Sequence, residues 1–200
     1  MIIGITGGTG SGKTTLLRLI ATAGGLILDC DSIYHRLLEC DAELQLAIMN
    51  QFPDAMNNGK INRKLLGSIV FGNPQALAAL NAITHAAVKN EIMRQLETGP
   101  VLAAIDAIGL FESQLDELCD VTVAVTAPIE QRIARIVSRD YISEEYARSR
   151  IAAQHDNSWY ASQCDYTLEN DSNLHAFEAK CLAFLHKLGI IKENGKGESL

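Results

Sequence analysis

The sequence predicts an α/β protein: a parallel sheet flanked by helices, with an inserted helical subdomain and a helical lid. Three observations carry that expectation. Apolar, strand-like runs alternate with helical patterns, a glycine-rich turn joins the first run to the first helix, and residues 32–98 hold helical patterns but no convincing strand.

The strand runs are "MIIGIT" at the start, "GLILDCD" after the first helix, "VLAAIDAI" at 101–108, "DVTVAVTA" at 120–127 and, most weakly, "DYTLEN" at 165–170. Strands that read as unbroken apolar runs, separated by helices, belong to a parallel sheet covered on both faces. A crossover between parallel strands needs only about 12 residues. The stretch 32–98 far exceeds that, so it is expected to form a subdomain of its own. Within it 32–40, 42–52, 63–71 and 74–96 read as helices, and "PDAMNNGKIN" as a loop. A second departure lies at 139–160. A helix starting at Pro128, a favoured first-turn residue, runs to about 140, and Ser143 followed by two glutamates starts another. This polar, arginine-rich hairpin is the expected lid. An amphipathic helix at 172–188 closes the fold, and the polar tail "KENGKGESL" is expected to fray. The expected division is therefore a sheet core of 1–31, 99–138 and 161–200, a helical subdomain of 32–98, and a lid of 139–160.

Composition narrows the class. The chain has 200 residues, 48% of them hydrophobic and 20% charged, which suits one soluble globular core. No apolar run reaches the roughly 18 residues of a membrane span, and the N-terminus lacks a basic signal region. A net charge of −7 argues against a broad nucleic-acid surface. The five cysteines, Cys30, Cys40, Cys119, Cys164 and Cys181, are odd in number and contain no C-x-x-C pair. They read as idle thiols of a cytoplasmic protein, with Cys30, between two aspartates, the one to watch.

The glycine-rich turn "TGGTGSGKTT" carries the chemistry. Gly7, Gly12, Lys13 and Thr14 satisfy G-x-x-x-x-G-K-[ST], between a strand and a helix as the P-loop requires. Bare backbone lets the amides of Gly10, Ser11, Gly12, Lys13, Thr14 and Thr15 approach an anion, with the positive end of the following helix behind them. Lys13 adds charge for the β- and γ-phosphates, and Thr14 a hydroxyl for Mg²⁺. The turn thus predicts a nucleoside triphosphate site in a P-loop NTPase-type fold. ATP is favoured over GTP on general likelihood alone, and the absence of a clear N-K-x-D base-reading motif lowers the GTPase reading.

Other residues are placed around it. Asp29 and Asp31 end the second strand run. A carboxylate there can take the proton of an attacking hydroxyl or orient Mg²⁺ through water, while one of the pair can instead cap the next helix. Asp106, ending "VLAAID", stands at a Walker-B position and is a second candidate for the metal. Arg132, Arg135 and Arg139 recur at i, i+3 and i+7, a spacing that more often marks a solvated face. Arg139 leads into the lid, where positive charge can close over a transferring phosphoryl group. His35 lies one helical turn after Asp31 and can face the same cleft. His85, in the long helix, reads more readily as a partly buried, hydrogen-bonded histidine. No His/Cys cluster has metal-ligand spacing.

With these residues in hand, the chain resembles the dephospho-CoA kinases, which catalyse the last step of coenzyme A synthesis. The resemblance spans roughly 1–185 and rests on "IGITGGTGSGKTT", "LDCD", "DAIGLFE", "RIVSRD", "RIAAQ" and "CDYTLEN", in that order. It implies a five-stranded parallel core and transfer of the ATP γ-phosphoryl group to the ribose 3′-hydroxyl of dephospho-CoA. It also implies Asp31 as base, Lys13 and Thr14 as the P-loop pair and Arg139 as the lid arginine. Asn170 is implied at the nucleotide. His85, Asp106, Leu110, Phe111, Glu112, Arg150 and Gln154 are implied around the acceptor, and the spacing from Asp31 adds His35 to that expected set. The chain departs from the family at Cys30, at Ala86 where a proline is usual, and at Ile108-Gly109 where Pro-Leu is usual. A lysine common near "DNSWYAS" is also missing. Two rivals stay open: another small-molecule kinase, for a nucleoside monophosphate or sugar-type acceptor, and a nucleotide-switched binding protein.

Overall fold

Residues 1–57, 60–70 and 72–192 are described by the computed structural model. In chain order the elements are β1 (Ile2–Thr6), α1 (Lys13–Thr22), β2 (Leu26–Asp29), α2 (Cys30–Cys40), α3 (Ala42–Gln51), β3 (Met56–Asn57), β4 (Lys60–Ile61), α4 (Arg63–Val70) and α5 (Pro74–Leu96). Then follow β5 (Ala103–Asp106), β6 (Val121–Thr126), α6 (Ile129–Asp140), α7 (Glu144–Ala152), α8 (Asn157–Gln163), β7 (Tyr166–Glu169) and α9 (Leu174–Lys187). They form two compact units, Met1–Leu28 with Pro100–Leu200, and Asp29–Gly99. No helix among the described residues is long and apolar enough to cross a membrane.

The first unit is built on a five-stranded parallel sheet in the order β2-β5-β1-β6-β7. β1 lies at its centre, with Ile5 opposite both Asp106 and Val123. Alternation along β1 sends Ile3 and Ile5 to one face, where they pack with Leu16 and Ile20 of α1 and with Phe177, Cys181, Phe184 and Leu185 of α9. Burial of each such side chain stabilises the fold by roughly 1.5–3 kcal/mol. Gly4 points the other way. A Cβ there would stand 2.8 Å from the Cys119 sulfur and 2.9 Å from Leu110 Cδ2, so the residue must be glycine for those side chains to close over the strand. The weak sequence signal of β7 has a cause: it is an edge strand whose residues alternate between half-buried and exposed.

The helices start where capping predicts. The Ser143 hydroxyl accepts from the Tyr146 amide at 3.2 Å, Asp156 from Trp159 at 2.8 Å and Asn173 from Ala176 at 3.0 Å. The lid stretch 139–160 falls in the first unit. Ile133 and Ile136 of α6 pack on Ala147 and Ile151 of α7, so these two helices share one small core. Asp156 opens a separate short helix, α8, that the sequence does not separate from the hairpin.

The second unit is a helical body in which α5 packs on α2, α3 and α4. One expectation is corrected here. The stretch read as a loop contains the paired strands β3 and β4, with Met56 opposite Ile61 and Asn57 opposite Lys60. Two residues per strand are too few for any periodicity to register. The expected helix end at Phe71, and the expected tail from 193 on, lie outside the described residues.

On α5, Glu91 accepts from Arg36 at 2.7 Å, from Arg94 through two bonds of 2.8 Å and from Gln95 at 2.8 Å. These donors, Arg94 foremost, hold its carboxyl down from 4.5 to about 2 against the opposing effect of burial. A depressed folded pKa means that the stabilisation is present above the ordinary value and lost as pH falls toward about 2. Thermal melts between pH 5 and about 2.5 should therefore show a steeper loss for the native protein than for Glu91→Gln. Parallel curves would remove the pair from the acid response.

Candidate active site

The glycine turn closes on itself before any ligand arrives. Gly12 caps α1 in the left-handed region (φ 104°), and a Cβ there would collide with the Asn170 side-chain amide. Gly7 (φ 131°) passes so close to the Val125 carbonyl that no side chain fits. Hence both motif glycines are demanded by backbone conformation and by space. The first turn of α1 holds no acidic residue, and no side chain caps it. The Thr15 amide turns to the Gly12 carbonyl at 3.1 Å, and no side chain takes the amides of Lys13 and Thr14, which suits an anion site.

Lys13 curls back over the turn. Its ammonium donates to the Gly7 carbonyl at 2.9 Å and lies 3.9 Å from Asp106 Oδ1 at the end of β5. Both side chains are less than one-fifth exposed, 13% and 18%, so the pair interacts in a partly desolvated setting where charge counts for more than in water. Asp106 thus stands beside the loop, as a Walker-B residue would. The Ser11 hydroxyl oxygen is buried and has no hydrogen-bond partner among the described residues.

Around the loop stand residues that the sequence reading placed elsewhere. Arg132 is only 3% exposed, and its guanidinium donates to the Thr9 carbonyl at 2.9 Å. Arg135 donates to the carbonyls of Gly10 (3.1 Å) and Ser11 (3.3 Å). Burial pulls both guanidinium groups below their usual pKa range, though arginine stays charged throughout the working pH range. The expected solvated face is therefore corrected: two of its three arginines hold loop carbonyls. Only Arg139, 60% exposed, sits at the solvent. It makes a two-bond pair with Asp140 (2.6 and 3.0 Å), and Arg150 donates to the same carboxylate at 2.6 Å.

The two aspartates after β2 are separated by role. Asp29 caps α2, accepting from the Ser32 amide at 3.0 Å. Asp31, in the first turn, is exposed and makes no hydrogen bond or ion pair among the described residues.

A strand ending in a glycine cradle, a lysine folded over it and an aspartate on the neighbouring strand describe a nucleotide-binding kinase core. The model of the dephospho-CoA kinase family matches residues 1–176. The chain belongs to the dephospho-CoA kinase family. A dephospho-CoA kinase of Latilactobacillus sakei is 32% identical over 197 residues, covering 94% of this chain and 98% of its own. One of Fusobacterium nucleatum is 36% identical over 178 residues, covering 87% and 91%. Among solved structures, a Thermus thermophilus protein superposes with a TM-score of 0.82 at 32% identity, covering 94% of this chain and 97% of that one. A shikimate kinase of Bacteroides thetaiotaomicron, 14% identical with a TM-score of 0.52 and covering 94% and 98%, shares the fold alone.

In this kinase several expected contacts are redirected. Leu110, expected at the acceptor, is fully buried and packs toward Gly4, so it belongs to the core. Asn170, expected at the nucleotide, is 5% exposed. Its amide donates to the Ser11 carbonyl at 2.8 Å and accepts from Arg135 at 3.2 Å, so it shapes the cradle from beneath. Gln154, expected at the acceptor, is bound to Thr9 and Arg132. Phe111 and Glu112 do stand out from the core. Phe111 meets Trp159 edge to face (6.0 Å), and Glu112 pairs with His155 at 3.0 Å, whose ring stacks on Trp159 at 3.6 Å. His85 is half-buried on α5.

His35 has a partner that the sequence does not announce, Arg63. It lies 2.7 Å from His35 Nε2, and because a guanidinium only donates, that nitrogen is the acceptor and His35 carries its proton on Nδ1.

No disulfide joins the five cysteines. Burial pushes Cys119 and Cys181 up to about 12 and Cys164 to about 11, far from the reactive range.

Proposed function

We propose that this kinase moves the γ-phosphoryl group of ATP to the ribose 3′-hydroxyl of dephospho-CoA, giving coenzyme A and ADP in the last step of coenzyme A formation. Family membership supports the reaction. The observation that carries the mechanism is the uncapped, acid-free start of α1 under the folded-back Lys13.

In this reading the amides from Gly10 to Thr15 grip the triphosphate, and Lys13 neutralises the β- and γ-oxygens. Asp31 takes the proton of the incoming hydroxyl, and Arg139 leaves Asp140 to meet the charge that spreads over the equatorial oxygens. Arg150 and Phe111–Glu112 belong to the acceptor side, with His35 and His85 on the helical unit. Little covalent chemistry falls to the protein, so rate comes from positioning and electrostatics.

The donor set also fits Mg²⁺. Among the described residues no three His, Cys, Asp or Glu side chains gather as a metal site. Mg²⁺ in phosphoryl-transfer sites takes one or two carboxylates and completes its shell with waters and phosphate oxygens. Thr14 and Asp106 would hold it, with Asp31 reaching it through water, and its charge would offset that of the phosphates.

ADP release tests the reading. Dephospho-CoA should stimulate it, and the product should be heavier by one phosphoryl group. Nucleoside monophosphates and sugar-type alcohols should not. Release that ignores dephospho-CoA but follows one of those acceptors would replace the proposal, and release that follows none would favour a nucleotide-switched binding protein.

A further inference from the structure

We infer that Gln154 and Arg132 act as positioning residues for ATP, by fixing the P-loop residue Thr9 from the outside. The inference needs the loop to bind ATP but is independent of which alcohol accepts the phosphoryl group.

Thr9 is 7% exposed, and every polar group it owns is engaged by these two side chains. Its amide donates to Gln154 Oε1 at 2.9 Å, its hydroxyl accepts from Gln154 Nε2 at 2.7 Å, and its carbonyl accepts from Arg132 Nε at 2.9 Å. Arg132 Nη2 donates to the same Gln154 Oε1 at 3.0 Å, which closes the ring of bonds. Two donors converge on that oxygen, so the amide orientation of Gln154 is forced. The preceding glycine belongs to the arrangement as well. A Cβ at Gly8 would fall inside the Arg132 guanidinium, 2.6 Å from Cζ.

These bonds differ from ordinary loop bonds in their origin. Gln154 and Arg132 are remote in sequence from Thr9, and they arrive together. Arg132 is on α6, Gln154 lies just beyond α7, and the Ile133, Ile136, Ala147 and Ile151 core joins those helices. The amide of Thr9 is also withheld from any phosphate while Gln154 holds it. The cradle for the triphosphate is therefore defined from Gly10 onward, with its leading edge pinned. Release of that edge would let the loop start wander and loosen the grip on the nucleotide. The same bonds occupy Gln154 Oε1 twice and one of the two Nε2 hydrogens.

Nucleotide affinity, measured by fluorescence titration with ATP in the absence of any acceptor, tests this. Gln154→Met keeps the length and removes the bonds, and should weaken ATP binding about tenfold, the scale of one well-made buried hydrogen bond lost. The acceptor KM should stay within about twofold. Gln154→Glu should restore affinity to within about threefold, since a carboxylate can accept from the Thr9 amide, the Thr9 hydroxyl and Arg132. A merely structural glutamine would not be rescued in this selective way. Should Gln154→Met fail to fold, Thr9→Val, which removes only the hydroxyl bond, carries the test with an expected loss of about threefold. Unchanged ATP affinity in the folded variants, or a change confined to the acceptor KM, would overturn the inference.

Discussion

Replacing Asp31 with asparagine is expected to lower turnover by about 10²- to 10⁴-fold, the range for a positioned general base, while ATP affinity stays within about twofold. Asparagine keeps the shape and loses the ability to take a proton. The neighbouring aspartate supplies the control. Asp29 is committed to capping α2 through the Ser32 amide, and asparagine caps as well as aspartate, so Asp29→Asn should leave both turnover and melting temperature nearly unchanged. Asp31→Asn also removes a negative charge from the first turn of α2, which costs roughly 0.3–1 kcal/mol of stability. That is far too little to account for the expected loss of rate. Steady-state kinetics with both variants decide the matter: equal activities would strip Asp31 of its role as base.

Arg139→Ala should reduce turnover by about a hundredfold or more, equal to about 2.7 kcal/mol of lost transition-state stabilisation. Its melting temperature should barely move, because the Arg139–Asp140 pair is a surface ion pair and such pairs contribute little. The pair is nevertheless well formed. Arg139 first, then Arg150, hold the Asp140 carboxyl down from 3.8 to about 2. A depressed folded pKa keeps the pair intact at all pH values above roughly 4, and it dissolves only as pH falls toward about 2. Neutral-pH activity profiles should accordingly show no inflection from Asp140. A variant that kept its rate would make Arg139 a solvated residue and nothing more.

How far the sequence could be read depended on the range of the interactions. The P-loop was readable because its chemistry is local: glycines, lysine and threonine act within one turn between a strand and a helix. Helix α5 was readable because 23 residues in one element give a long pattern. Arg132 and Arg135 were misjudged for the opposite reason. Their partners are loop carbonyls more than 120 residues away in sequence, and no helical spacing reports on such contacts. Leu110 fits the same account. Its place in the motif suggested the acceptor, and only the missing side chain of Gly4, on a distant strand, shows that it turns inward. Asp29 and Asp31 form an intermediate case, for position alone offered capping and catalysis to both, and it was the resemblance that assigned the base to Asp31.

The helical unit leaves the sheet after Leu28 and returns at Pro100, through β2 and β5, which are neighbours in the sheet. The chain thus departs from and rejoins the sheet on neighbouring strands. Such an arrangement permits the module to be exchanged or reshaped over evolutionary time while the phosphate-gripping machinery stays as it is. In the proposed reading, where the helical unit holds the acceptor, acceptor choice and donor chemistry can then drift separately.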